Sequence, residues 1–204
     1  MYSTSFIDDL ASSAPTPGGG GASAYAGAIA SALASMVGNL TVGKKKYAEV
    51  EEDVQAALVR LAQIRERLLS LVDEDARAFA PLARAYGLPK GTPEEAAAKD
   101  AALQSALVGA CEAPLGIMRQ CVAVAEECRF LAHNGSRLAV SDAGAAAALA
   151  CAAAHTASLN VLINTASMSS KEQANAYRRN VDDLLAQVDT CANGVYDYVV
   201  REIG

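Results

Sequence analysis

Three stretches of this 204-residue chain hold residues whose types and spacing suit chemistry. The first is Pro15-Thr16-Pro17 followed by Gly18, Gly19, Gly20 and Gly21, opening a helical stretch. Consecutive glycines let a backbone approach a ligand closely, and the free N–H groups of a helix start favour anions or carbonyl oxygens. With no strand before it and the wrong spacing, the run is neither a Walker loop nor a dinucleotide fingerprint. Its plainer reading is a flexible turn into a close-packed helix. The second stretch is Asn39-Leu40-Thr41-Val42-Gly43-Lys44-Lys45-Lys46-Tyr47. Three successive lysines suit a solvated helix end. They also suit a cationic site for a carboxylate-bearing ligand, with Tyr47 offering a ring and a hydroxyl. The third runs from Ser141-Asp142-Ala143-Gly144 to Asn160 and Asn164. A Ser-Asp pair at a helix start is, in its plain reading, a cap. Asn160 and Asn164 stand one turn apart on an otherwise apolar helix, where an unsatisfied amide is costly. Asp142 lies five whole turns before Asn160, so the two share a face. Either a bound heterocycle with amide-like edges or an interhelical hydrogen bond would answer this polar stripe.

Other chemistries find no constellation. Neither His133 nor His155 has a partner at ligand spacing, so no metal is expected. His133 reads as a charge near a helix C-terminus, and His155 serves equally as a packed or a functional residue. No Ser/His/Asp or Cys/His nucleophile set suggests itself.

The elements that must position these residues are helical. A short helix is expected over Ile7 to Ser13. From Ala22 to Leu40, Ala22, Ala26, Ala30 and Ala34 recur every fourth residue, marking a face for tight helix contact. A long amphipathic helix follows, with Val50, Val54, Leu58, Leu61, Leu68, Leu71 and Val72 near helical spacing, and Pro81 kinks or ends it. Thr92-Pro93-Glu94-Glu95 is a helix start with a capping box, running to about Glu112. Pro114 opens another helix, ending near Asn134-Gly135. Ser141-Asp142 caps an Ala-rich helix to about Ser167, and Ser169 with Glu172 starts the last, through Val199. The expected fold is an all-α multihelical bundle of six to seven substantial helices in a single domain.

Composition agrees. Hydrophobic residues make up 52% of the chain, yet there is no Trp and only 5% is aromatic, so the core must be built from small side chains. A net charge of −6 argues against nucleic acid as a partner. Cys111, Cys121, Cys128, Cys151 and Cys191 are odd in number, lack a C-x-x-C pair and sit in apolar stretches, which suits reduced thiols in the cytoplasm. Met1 to Asp9 lacks the basic-then-apolar layout of a signal peptide. The Ala-rich runs, interrupted by Ser, Asn and Gly, read as too weakly apolar to span a bilayer, so no membrane is expected.

Taken in order, these segments resemble the cyclodeaminase/cyclohydrolase family, which includes the C-terminal domain of formiminotransferase-cyclodeaminase and stand-alone bacterial methenyltetrahydrofolate cyclohydrolases. The resemblance is carried by Leu10-Ala11-Ser12-Ser13-Ala14-Pro15-Thr16-Pro17 with the four glycines, and by Ser35-Met36-Val37-Gly38-Asn39-Leu40-Thr41 with Gly43 to Tyr47. Asp73-Glu74-Asp75-Ala76-Arg77-Ala78-Phe79, Ser141 to Gly144, and Asn160-Val161 with Asn164 complete it. It covers nearly the whole chain, 1–204, as one domain. It implies a multihelical homodimer with folate bound near the subunit interface, and no cofactor or metal beyond the tetrahydrofolate that carries the substrate. Many members end the glycine run in Ser; Gly21 here tilts the resemblance to the stand-alone cyclohydrolases. One segment departs: where members show Gly-Asn-x-Asn before Ser-Asp, this chain has Gly135-Ser136-Arg137-Leu138.

The expected activity is hydrolysis of 5,10-methenyltetrahydrofolate to 10-formyltetrahydrofolate. Its alternatives are cyclodeamination of 5-formiminotetrahydrofolate with release of ammonia, and a catalytically silent folate-binding or assembly module. Asp142 is the expected proton carrier, with Lys44 or Lys45 as donor or anchor. Pro17, Gly18, Gly19, Gly20 and Gly21 would supply backbone contacts, and Asn39, Lys46, Tyr47, Ser141, Asn160 and Asn164 polar ones. The glycine and lysine motifs bracket one helix, on the order of 30 Å apart at about 1.5 Å per residue. One pocket does not bridge that span. Two geometries answer it: an antiparallel pairing of two subunits that shares each site, or a helix broken near Ser35 to Gly38 within one chain.

Overall fold

The computed structural model describes residues 4–204, so Met1–Ser3, which open the stretch read for a signal layout, lie outside it. Six α-helices follow one another: α1 (Ser5–Leu10), α2 (Gly19–Asn39), α3 (Glu51–Gly87), α4 (Pro93–Asn134), α5 (Val140–Ala166) and α6 (Lys171–Ile203). Short 3₁₀ turns, Lys45–Val50 and Arg137–Ala139, precede α3 and α5. No strand occurs among the described residues. The all-α expectation holds.

Local signals set most boundaries. At the start of α4, the Glu95 N–H donates to Thr92 Oγ1 and the Thr92 N–H donates to Glu95 Oε2, both at 3.2 Å. This reciprocal pair satisfies two donors that a helix start leaves free. Ser170, one residue past the expected Ser169, caps α6 by accepting the Gln173 N–H at 3.2 Å. Ser141 and Asp142 do not cap α5. The helix begins one residue earlier, Ala139 is its N-cap without a side-chain bond, and Asp142 adds only its charge to the first turn.

Two prolines fail to stop their helices. α3 runs through Pro81 to Gly87, and α4 runs unbroken through Pro114, merging two expected helices. Proline has no N–H, so Pro114 leaves the Ala110 carbonyl without its helical donor. The Asn164 side chain fills the gap from α5, its Nδ2 donating to the Ala110 oxygen at 3.1 Å. This is the interhelical hydrogen bond that the polar stripe on α5 called for. Pro81 is exposed, where water can serve the carbonyl it orphans.

α2 packs between α3 and α5, with α4 across all three and α6 closing over α4 and α5. The core is dominated by Ala, Val, Leu and Cys, with close approach at glycines. A Cβ on Gly27 would stand 3.1 Å from Cys121 Sγ and 3.2 Å from Leu68 Cδ2; one on Gly144 would stand 3.2 Å from Val199. α2, α3 and α4 meet at Gly27, where a methyl group would require Cys121 and Leu68 to give by a few tenths of an ångström. Leu68 fills that junction and is fully buried. Leu68→Ala is expected to cost about 2–5 kcal/mol, read as a lower urea midpoint with unchanged slope.

Three helical stretches, Gly19–Asn39, Pro93–Asn134 and Arg137–Ala166, are long and apolar enough to cross a membrane by length and composition, with mean hydropathy of 1.2, 1.3 and 1.6 in their most apolar windows. This corrects the expectation that these runs are too weakly apolar. The fold buries 61%, 50% and 44% of those windows, so helix packing already covers about half of this apolar surface.

Candidate active site

α2 opens on the glycine run. Gly18 is its N-cap in extended conformation, Gly19 to Gly21 form its first turn, and the Thr16–Pro17 peptide before them is cis. α3 passes so close that a Cβ on Gly20 would fall 2.2 Å from Asp75 Oδ1. Only a residue without a side chain lets the carboxylate reach the exposed N–H groups of this turn. The Asp75 carboxyl is pushed up from the ordinary carboxylate range by burial, a shift partly offset by the Gly21 N–H directed at it. From the other side α5 brings Asn160, whose amide lies against Gly19, and Asn164.

Together these residues line a cavity of about 180 Å³, with Ala78, Phe79, Leu82 and Ile163 as its apolar wall. That is less than the roughly 300–1,000 Å³ of pockets that enclose a drug-sized ligand. The Asn160 Nδ2 donates to the Thr156 carbonyl at 3.2 Å and the Asn164 Nδ2 to Ala110, so neither donor uses up its own amide oxygen.

Of the expected site residues, Gly18, Gly19, Gly20, Asn160 and Asn164 meet here, with Pro17 packed against Gly21 just behind them. The others do not. α2 is continuous through Gly38, which removes the broken-helix geometry. Asn39 is its last residue, and Lys44, Lys45, Lys46 and Tyr47 follow at the far end. There the departing segment holds them in place. The Ser136 N–H donates to Thr41 Oγ1 at 2.8 Å, the Arg137 N–H to the Tyr47 hydroxyl oxygen at 3.1 Å, and Lys44 Nζ lies 3.4 Å from Ser136 Oγ. The Arg137 N–H holds the Tyr47 phenol below its usual range, and Lys46 Nζ stands 5.4 Å from the ring centroid. Lys45 is exposed and pairs with no side chain among the described residues. Ser141, exposed, and Asp142, half-buried, begin α5 directly after this segment, at the lysine end and five turns from Asn160.

Asp75 was not among the expected site residues, although it stands in one of the motifs. A signal was available. Leu68, Leu71, Asp75, Phe79 and Leu82 keep the spacing of the buried stripe of α3, and a carboxylate at a stripe position needs a reason. Its neighbours hid it: Asp73 is exposed, and Glu74 pairs with Arg67. Of the two histidines, His133 meets its expectation and His155 does not. His133 does sit in the last turn of α4, its Nδ1 donating to the Arg129 carbonyl at 2.8 Å and its ring stacked on Tyr198. His155 does have partners at ligand spacing. Cys151 is one turn back on α5, and Asp189 comes from α6.

The all-helical fold thus gathers a glycine-opened helix start, a carboxylate and two amides around one cavity with an apolar wall. The chain belongs to the formiminotransferase-cyclodeaminase family, whose model matches residues 3–183. It is 41% identical to a methenyltetrahydrofolate cyclohydrolase of Methylorubrum extorquens over 97% of this chain and 95% of that one. It is 33% identical to the formimidoyltransferase-cyclodeaminase of Mus musculus over 92% of this chain, but spans only 35% of that longer protein. Its fold matches the crystal structure of formiminotetrahydrofolate cyclodeaminase from Thermotoga maritima with a TM-score of 0.81 and 32% identity, covering 99% and 95% of the two chains.

Proposed function

We propose that this chain is a methenyltetrahydrofolate cyclohydrolase, turning 5,10-methenyltetrahydrofolate and water into 10-formyltetrahydrofolate in the cytoplasm. The observation that carries the reading is the cavity, where the glycine turn, Asp75, Asn160 and Asn164 converge in a chain akin to an enzyme of that name. The substrate carbon lies between two nitrogens in a cationic amidinium and is already electrophilic. Catalysis has to place a water, take its proton and decide which C–N bond breaks.

Asp75 suits the proton. Its raised pKa brings it nearer neutrality, where a carboxylate both accepts a proton from water and returns it. Water oxygen bonds to the amidinium carbon as Asp75 takes the proton. The N5–carbon bond of the tetrahedral intermediate then breaks, N5 receives the proton held by Asp75, and the hydroxyl gives up its own proton to solvent as the formyl C=O forms on N10. The Asn160 and Asn164 oxygens and the glycine N–H groups match the amide-like edges of a pterin.

The lysines complete the site from a second copy of the chain. Exposed apolar side chains on α2 and α5 support this homodimer: Ile29 and Met36 on one helix with Leu40 just past its end, and Leu149, Leu159 and Ile163 on the other. Ile163, 68% exposed, belongs both to this set and to the cavity wall, so a neighbour covering these side chains also closes the cavity. An antiparallel two-fold pairing sets Lys44, Lys45 and Asp142 of one copy beside the glycine end of the other. The lysines then hold the substrate's carboxylates, Asn39, Lys46, Tyr47 and Ser141 frame them, and Asp142 balances the cation and relays the proton outward. Asp142→Asn is expected to lower turnover by roughly 10²-fold. Its stability should fall by less than about 1 kcal/mol, because only a first-turn charge is lost.

Cyclodeamination of 5-formiminotetrahydrofolate is the second reading, favoured by the likeness to the Thermotoga maritima structure. Both substrates offered to one preparation separate the two. The proposal expects a higher kcat/KM for loss of the methenyl chromophore than for ammonia release, and the reverse order makes the chain a cyclodeaminase.

A further inference from the structure

On the outer side of α5, away from the cavity, three ligand-type side chains meet across the contact with α6. Cys151 and His155 are one helical turn apart, and Asp189 faces both. His155 Nε2 lies 2.7 Å from Asp189 Oδ1, and the Cys151 thiol donates to the same oxygen at 3.3 Å. The three ligand atoms all fall within 4.8 Å of one another. A tetrahedral ion with bonds of about 2.0–2.3 Å sets its ligands roughly 3.3–3.6 Å apart. Small rotations of half-exposed side chains therefore convert the hydrogen-bonded cluster into a coordination sphere.

A cysteine nucleophile is the other chemistry these residue types suggest, and the geometry does not support it. His155 and Cys151 both address Asp189, so the imidazole is not placed to take the thiol proton. Burial, followed by the Asp189 carboxylate, pushes the Cys151 thiol up to about 11. It is a protonated thiol until a cation replaces that proton. The other four cysteines are buried, so Cys151 alone is accessible enough to serve as a ligand.

We infer that Cys151, His155 and Asp189 form a binding site for a divalent transition ion of the zinc class, clamping α5 to α6. One thiolate sulfur, one imidazole nitrogen and one carboxylate oxygen are a donor set for that class. A water takes the fourth position on the solvent side, where His155 is exposed. None of the three residues lines the cavity, and the inference stands apart from the folate reading.

Cobalt(II) is the probe, added to reduced, chelator-treated full-length protein. One ion per chain should bind with a thiolate-to-cobalt charge-transfer band and intense tetrahedral ligand-field bands, and zinc should displace it. Cys151→Ser should lose the charge-transfer band, and His155→Ala should weaken binding by roughly tenfold or more, with far-ultraviolet circular dichroism unchanged. Asp189→Asn, which keeps the side-chain shape, should weaken it likewise. Weak octahedral bands without charge transfer, or a tetrahedral spectrum that survives both Cys151→Ser and His155→Ala, would overturn the site and leave a hydrogen-bonded bridge between two helices.

Discussion

Asp75→Asn is expected to lower turnover by roughly 10²-fold or more while leaving the chain folded and at least as stable at neutral pH. The substitution separates two roles for one carboxylate. Asp75 lies against the first turn of α2, so its plain structural role is a cap supplied by a neighbouring helix. Asn fills that role as well as Asp does, because its oxygen still accepts a backbone N–H. Only the transfer of a proton requires the acid. The stability effect follows from burial, which raises the carboxyl's pKa in the folded chain. The folded state then holds the proton more tightly than the unfolded state. That stabilisation is complete below the ordinary carboxylate range and is lost as pH rises through the raised value. At neutral pH the buried charge is a net cost, which Asn removes. The melting temperature should stay level or rise by about 1–3 °C. In the parent protein, the acid limb of the pH–rate profile should lie above the ordinary carboxylate range, and in the variant it should vanish. A variant that turns over normally would reduce Asp75 to a cap.

The second large effect is recovery of activity from two crippled chains. Asp75→Asn damages the glycine end of α2, and Lys44→Ala with Lys45→Ala damages the far end. If each site joins the glycine end of one subunit to the lysine end of another, a mixed dimer gathers both lesions in one site and leaves the other intact. Random exchange of equal amounts makes half the dimers mixed. About a quarter of all sites are then whole, against a background of roughly a hundredth. Tagged protomers and native mass spectrometry count the mixed dimers while kcat/KM is measured. Mixed dimers present in quantity and still inactive would contradict the shared site.

Most of the fold was legible in the sequence, because its signals are local. The capping box at Thr92 and the helical spacing of the α3 leucines held, and of the expected α2 face Ala30 and Ala34 are buried while Ala22 and Ala26 are only partly so. What escaped depends on contacts distant in the chain. Pro114 reads as a helix start because proline suits the first turn, and it is tolerated inside α4 because Asn164, fifty residues on, supplies the missing donor. The same asparagine was legible as a polar residue needing a partner; which partner was not. Asp75 and the Cys151–His155–Asp189 cluster share this character. Asp75 follows the exposed Asp73 and the paired Glu74, and Asp189 sits on a different helix from Cys151 and His155. The glycine and lysine motifs were both read as ligand-binding, and of the two geometries considered α2 runs unbroken between them.

The central claim rests on the substrate. Purified, chelator-treated protein should bleach the methenyl chromophore of 5,10-methenyltetrahydrofolate far faster than buffer alone, with no nucleotide present, and yield 10-formyltetrahydrofolate. A folded preparation that leaves the buffer rate unchanged would contradict the account and make this chain a binding or assembly module rather than a cyclohydrolase.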